Sequence, residues 1–313
     1  MMTSKKAILV TSFGTSQQPA RDNCIGSIEK EIASAFPDWV VRRAFTSRMI
    51  IKRIFKETGE KIDYIDDALK RLADEGFDTV IVQPTHFIKG IEYDDVVSVC
   101  AKHAPMFKHI TVSKPLLDDE ASFDTMVDIV KNDIVPSIRS KAGNDCGIVL
   151  MGHGSEHFSN SCYSQVYIKM RLAGMDDVFI VCLDGFPKYY EFRKMMREFN
   201  GNRLAVMPFM IVAGVHALED MAGDEPGSLK NLLSSEGFEV TPIMEGFGQY
   251  GSVRKRFVEL CRECMDSLSD AVLPDEAALS GPQLEVVPGD PVVDADHVAP
   301  FVDGGDGVPL KRE

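Results

Sequence analysis

The sequence lacks an excess of basic residues. Its 48 Asp and Glu residues outnumber 34 Lys and Arg, which gives a formal net charge of -14 at pH 7. Nucleic acids and anionic membranes both favour a basic protein surface, so this balance argues against either as a partner. Much of the excess lies at the C-terminal end, where Asp270 to Glu313 carry a net charge of -8 against -6 for everything before them. The preceding part of the chain is therefore only mildly acidic.

The sequence also lacks an even set of cysteines and any long hydrophobic run. Seven cysteines, spread from Cys24 to Cys264, do not form the pattern of a disulfide framework, and they favour a reducing cytoplasm. The apolar run after Lys6 reaches Thr11 after only four residues, which is too short for a signal-peptide core. No segment is long and apolar enough to span a bilayer. We therefore expect a cytoplasmic protein.

Short apolar segments alternate with helical segments in both halves of the 313-residue chain, a length that suits two domains. Strands are predicted at Ala7 to Val10, Trp39 to Phe45, Thr79 to Pro84, Ile110 to Val112, Gly147 to Met151, Val178 to Leu183, Leu204 to Met210 and Glu239 to Ile243. The pattern predicts an α/β fold of two duplicated Rossmann-like domains, each a four-stranded parallel sheet flanked by helices. We place the first half at residues 1–140, the second at 141–269, and an acidic, disordered tail at 270–313.

Two pairs of segments repeat between the halves in the same order. Pro84 is followed six residues later by Gly90 and then by Glu92, and Pro208 is followed in the same way by Gly214 and His216. Likewise Ile8 to Thr15 aligns with Ile148 to Ser155, where the second copy has His153 in place of Phe13. A duplicated domain explains both pairs, with most of the chemistry in the second copy.

Three residues of the second half are candidate metal ligands. His153 lies between two glycines after one predicted strand, Asp184 follows the next, and His216 follows the third. Open α/β sheets collect ligands at the carboxyl ends of their strands, and two imidazoles with a carboxylate suit a divalent first-row ion. Spacing alone does not prove that three strand ends meet. Histidines that cap helices, and an Asp184 that caps a helix, fit the same pattern.

The first half offers Glu92 and His86 at the equivalent strand end. A carboxylate at Glu92 would face the second half and could accept a proton. It also fits a solvated acid in the first turn of a helix, which the helix dipole favours. The register decides whether His86 lines the cleft.

Five motifs in a fixed order make the chain resemble a known family. They are Ser-Phe-Gly-Thr-Ser at Ser12 to Ser16, Arg-Ala-Phe-Thr-Ser at Arg43 to Ser47, His86 with Gly90-x-Glu92-Tyr93, Met-Gly-His-Gly at Met151 to Gly154, and Val-Ala-Gly-x-His-Ala at Val212 to Ala217. Over about Lys5 to Leu268 the sequence resembles the anaerobic sirohydrochlorin cobaltochelatases, class II chelatases related in fold to ferrochelatase.

The resemblance implies insertion of Co²⁺ into sirohydrochlorin, a step of oxygen-independent cobalamin synthesis, without ATP or an organic cofactor. It implies that His153 and His216 bind the metal or take up pyrrole protons, and that Glu92 contributes from the opposite wall. Members of that family commonly have glutamate where this chain has Asp184, so the resemblance does not extend directly to ligation by the shorter side chain, and a water bridge is an alternative.

The tetrapyrrole carries many carboxylates, and the sequence offers few cations near the predicted strand ends. We expect substrate contacts from these residues: Ser12, Phe13, Gly14, Thr15, Arg48, His86 and Lys89. We expect no nucleic-acid or membrane partner, and a homo-oligomer is compatible with the sequence.

Two other functions fit the residues. Ligand type does not separate cobalt from iron or nickel, so insertion of either into the same tetrapyrrole is an alternative. A non-catalytic protein that binds a metal or tetrapyrrole is another, since two α/β halves around a cleft are also the plan of solute-binding proteins.

Overall fold

The computed structural model describes residues 4–270, and the predicted tail therefore lies outside the described residues apart from Asp270. Eight strands are present: β1 Lys6–Ser12, β2 Val40–Phe45, β3 Thr79–Pro84, β4 His109–Val112, β5 Gly147–Gly152, β6 Val178–Cys182, β7 Arg203–Pro208 and β8 Glu239–Pro242. They form two four-stranded parallel sheets with the orders β2-β1-β3-β4 and β6-β5-β7-β8. The predicted fold class is confirmed, and the shared strand order shows that the two sheets repeat one topology.

Helices follow nearly every strand. The α-helices are α1 Gln18–Ala20, α2 Gly26–Ala35, α3 Arg48–Thr58, α4 Ile65–Asp74, α5 Ile91–His103, α6 Glu120–Ile129, α7 Val135–Ala142, α8 Ser161–Leu172, α9 Tyr189–Met195, α10 Leu229–Ser235 and α11 Gly251–Asp270. Wider π-helical turns occupy Arg21–Ile25, Val130–Ile134 and Ala217–Met221, and 3-10 turns occupy Ala104–Met106, Phe158–Asn160 and Phe247–Gln249. The helical stretch from Glu120 to Ala142 is divided by a π-helical turn just before Pro136, whose missing N–H interrupts the regular hydrogen-bond pattern.

Sequence periodicity accounts for these elements. β3 reads Thr-Val-Ile-Val-Gln-Pro and is buried throughout, as expected for a parallel strand covered on both faces. In α4, the buried residues Ile65, Ala68, Leu69 and Leu72 recur at helical spacing and face the sheet. All seven cysteines lie within the described residues and are free.

The helices at the end of each half pack on the other half. α6 contacts α8, and Arg139 after it binds Asp177 at 2.7 Å. In the opposite direction, α11 returns to the first sheet, where the Ser113 hydroxyl donates to the Leu260 carbonyl at 3.1 Å. One hydrophobic core accordingly runs through both halves and fixes the two sets of strand ends relative to each other.

No helix within residues 4–270 is long and apolar enough to cross a membrane.

Candidate active site

His153 is the first residue after β5, and a tight turn holds it there. Gly154 adopts φ +76°, a conformation that side chains rarely adopt, and a Cβ built on it would lie 1.6 Å from the Asp184 carbonyl oxygen. The Asp184 N–H donates to the His153 carbonyl at 2.8 Å. The loops after β5 and β6 are therefore bound together directly behind the imidazole.

His216 follows β7 after the loop through Gly214, whose carbonyl accepts the N–H groups of Ala217 and Leu218. The next five residues, Ala217–Met221, form a π-helical turn. This turn brings Asp220 back to the imidazole, where its Oδ2 lies 2.7 Å from His216 Nδ1. The carboxylate selects the tautomer with a proton on Nδ1 and leaves Nε2 free to bind a proton or a metal ion.

The two imidazoles meet. The ring centroids of His153 and His216 lie 4.8 Å apart, with an angle of 86° between the ring planes. The cause is the strand order, since β5 and β7 are neighbours in register from Gly147↔Leu204 to Met151↔Pro208. Both side chains are partly exposed, so the pair is open to a ligand.

The metal contact predicted for Asp184 stays a prediction. Within residues 4–270 no group of three or more His, Cys, Asp or Glu side chains is arranged to hold a metal ion. What the structure brings to the imidazoles is the backbone of Asp184 behind His153 and the carboxylate of Asp220 on His216.

Loops of the first half lie next to the loops that carry the two histidines. A Cβ on Gly214 would lie 3.5 Å from the Thr15 hydroxyl, so the His216 loop abuts the loop after β1. A Cβ on Gly90 would lie 3.8 Å from the Ser159 hydroxyl, so the start of α5 abuts the loop that follows His153. The histidine pair is therefore flanked by strand-end loops of the first sheet.

Glu92, in the first turn of α5, reaches toward the second half. Its side chain is 52% exposed and lies 3.6 Å from His86 Nε2. Burial raises the pKa of Tyr163, and the charge on Glu92 adds to this shift. Glu92 is thus close enough to the second half for its charge to act on Tyr163.

The remaining predicted substrate residues occupy different environments. The Ser12 hydroxyl is buried and accepts from Thr85 at 2.8 Å, whereas Phe13 is exposed. Gly14 adopts φ +101° against the Phe45 ring, where a Cβ would lie 2.5 Å from the nearest ring carbon. The Arg48 guanidinium stacks 3.6 Å from the Tyr64 ring centroid, and Lys89 pairs with Asp118.

Exposed apolar side chains occur in the segments that follow strand ends in both halves. Phe158, the most exposed of them, has 83% of its surface accessible. The set is Phe13, Ile91, Phe158, Phe186 and Leu218. Each follows the carboxyl end of a strand, and we call these five residues the rim. Of the rim only Phe13 was named from the sequence, and Asp220 was missed, although the spacing of four residues from His216 to Asp220 was available as a signal.

Known structures share this architecture. SirB from Bacillus subtilis with Fe³⁺ is 14% identical, with a TM-score of 0.58, and the match covers 85% of this chain and 98% of that one. The sirohydrochlorin chelatase SirB from Bacillus subtilis subspecies spizizenii, in complex with cobalt, is 15% identical with a TM-score of 0.55, over 85% and 97% of the two chains. The fold is therefore the chelatase fold.

Sequence comparison gives the family. The cobalt chelatase (CbiK) family matches residues 6–266, and the chain belongs to that family. A sirohydrochlorin cobaltochelatase of Salmonella typhimurium (strain LT2) is 32% identical over 254 residues, which cover 81% of this chain and 94% of that protein. The sirohydrochlorin cobaltochelatase CbiKC of Nitratidesulfovibrio vulgaris is 28% identical over 79% of this chain and 86% of its own. The resemblance inferred from the five motifs is confirmed.

Proposed function

We propose that this protein inserts Co²⁺ into sirohydrochlorin, without ATP, between its two halves. The observation that carries the proposal is the T-shaped pair of His153 and His216, with ring centroids 4.8 Å apart, on neighbouring strand ends of a cobalt chelatase family member. Relatives at 32% and 28% identity bear the name of this activity.

The chemistry requires residues of these types. Insertion exchanges a divalent ion for two N–H protons of the macrocycle, so the ion must be held loosely next to bases. Neutral imidazole binds first-row ions and also accepts protons near neutral pH. His153 and His216 would hold Co²⁺ through their free ring nitrogens, and Asp220 would fix the tautomer of His216.

Asp184 has a smaller role in this proposal. Its backbone holds the His153 turn, and its short side chain would reach the ion only through a water molecule. The two imidazoles therefore provide the protein's direct contacts, and the remaining coordination positions stay open to the tetrapyrrole.

The surroundings suit a flat, largely apolar macrocycle with charged edges. The rim of exposed apolar side chains would contact its faces, with Phe13 on one half and Phe158 on the other. Arg48, Lys89 and the backbone of the Phe13-Gly14 turn would receive its carboxylates. The partner of Lys89, Asp118, would have to release it for this contact.

Free cysteines throughout the described chain suit a reducing compartment, so we place this reaction in the cytoplasm.

The test is anaerobic incubation of the purified protein with sirohydrochlorin and Co²⁺, Ni²⁺ or Fe²⁺ in turn, without ATP, followed by absorbance. We expect cobalt insertion over many turnovers and well above the rate without protein. Faster insertion of iron or nickel would assign the protein to another metal. Binding of the tetrapyrrole with no more than one metallation per protein molecule would make it a carrier.

A further inference from the structure

His86 is a buried imidazole without a protein partner on either ring nitrogen among the described residues. It follows β3, its side chain is 9% exposed, and Nδ1 and Nε2 are both inaccessible to solvent. Its backbone is fixed, since the Leu116 N–H donates to the His86 carbonyl at 3.1 Å. Buried polar groups are nearly always hydrogen-bonded, because leaving one unpaired costs about 1–3 kcal/mol. An unpaired buried imidazole next to a reaction site therefore requires an explanation.

The charged group that His86 faces is Glu92. Nε2 lies 3.6 Å from Glu92 Oε2, slightly beyond hydrogen-bonding distance. Burial lowers the pKa of His86, and the charge on Glu92 opposes that shift, so the resting imidazole is neutral. Lys89, three residues further on, pairs with Asp118, and Tyr163 of the second half faces Glu92. His86 therefore has a free lone pair beside a carboxylate that is itself exposed.

The proposed reaction releases two protons, and the metal restricts where they can go. If His153 and His216 hold the ion, their free nitrogens are occupied when the pyrrole N–H bonds break. A single carboxylate on the opposite wall can take one proton. A second proton acceptor behind this carboxylate would allow the same wall to take both protons.

We propose that Glu92 and His86 together form a two-proton acceptor on the first-half wall, with His86 acting through Glu92. The first pyrrole N–H bond breaks and its proton forms an O–H bond on Glu92, which passes it to the lone pair of His86 and becomes a carboxylate again. The second pyrrole proton then forms an O–H bond on Glu92. Two N–H bonds of the macrocycle are replaced by one O–H and one imidazolium N–H, and no electrons are transferred. After product release the exposed Glu92 returns both protons to water in turn. This inference rests on the proposed cobalt insertion.

The test compares His86→Gln with the wild-type protein in anaerobic steady-state cobalt insertion. Glutamine keeps a hydrogen-bonding side chain of similar reach but does not take up a proton, so kcat should fall about tenfold or more while KM for sirohydrochlorin changes less than twofold. His86→Asn provides a second variant in case glutamine fits poorly. The matched control is His103→Gln, which replaces another buried histidine, one bonded to the Val99 carbonyl at 2.9 Å in the first half. We expect it to leave kcat unchanged.

The acceptor role also predicts coupling. In the Glu92→Gln background, His86→Gln should lower kcat by less than twofold further, because His86 has no route to the substrate without the carboxylate. Equal losses in both backgrounds would overturn the inference, as would wild-type kcat in both His86 variants or an effect confined to KM. Each of those results would leave the proposed function intact if the wild-type protein inserts cobalt. Failure of the wild-type protein to insert cobalt would remove both.

Discussion

At the scale of single residues, the proposed metal insertion depends on two imidazoles that lie far apart in the sequence and have ring centroids 4.8 Å apart in the structure. Replacing His216 or His153 with alanine removes one of the two proposed metal contacts. We expect each variant to lose about 100-fold or more of cobalt insertion while unfolding at nearly the wild-type temperature. Anaerobic absorbance assays and thermal unfolding measure both quantities.

His109→Ala is the control for those two variants. His109 is an exposed histidine at the start of β4, at the opposite end of the strands from the site. Full activity in either site variant would contradict the proposed mechanism.

A further prediction concerns Asp220, which we expect to position the His216 ring. Its carboxylate lies 2.7 Å from His216 Nδ1, and such partners of metal-binding histidines usually contribute about 10–100-fold in metal affinity or activity. We expect Asp220→Asn to lower cobalt insertion about tenfold, because the amide keeps the shape but can present the wrong hydrogen-bonding group to the ring. Glu219→Gln, at the adjacent exposed position, should have no effect. Equal activities of the two variants would exclude a positioning role for Asp220.

At the scale of elements, the turn after β5 sets the position of His153. Gly154→Ala combines a left-handed backbone with overlap against the Asp184 carbonyl, 1.6 Å from the new Cβ. Gly174 has a similar φ of +79° with no atom within 4 Å of a Cβ. Gly174→Ala should therefore lower the free energy of unfolding only by the cost of placing alanine in a left-handed backbone conformation, about 1–2 kcal/mol. Gly154→Ala should cost more and also lower cobalt insertion.

Chemical denaturation of both glycine variants measures the free energies of unfolding. If the Gly154→Ala protein were as stable and as active as the Gly174→Ala protein, the contact between the loops after β5 and β6 would not be needed for stability or activity.

The elements also show what could be predicted from sequence. The eight strands lie where apolar runs such as Thr79–Pro84 predict them, because burial on both faces leaves a local signature. The π-helical turn at Val130–Ile134, just before Pro136, is visible only in the structure. The π-helical turn at Ala217–Met221 was not predicted, since its residues do not differ in type from those of an ordinary helix.

At the scale of the whole molecule, a helix from the end of each half packs against the other half. α6 packs on the second half and α11 on the first, so a cut at residue 140 leaves a hydrophobic surface uncovered on each fragment. We expect residues 1–140 and 141–313, expressed separately, to lack cooperative unfolding transitions, and co-expression to restore cobalt insertion. Thermal unfolding monitored by circular dichroism tests the first statement. A cooperative transition in residues 1–140 alone would mean that the first half folds without α11.

The sequence by itself determined which residue types were available and where each strand ends, because strand burial and glycine turns act between neighbours in the chain. His153, His216 and Glu92 could be named from that information. Only the tertiary structure decided that β5 and β7 are adjacent, that the carboxylate of Asp220 contacts the His216 ring, and that His86 is buried behind Glu92. Those facts depend on strand order and on packing between distant segments, and the residues themselves carry no local signal of either.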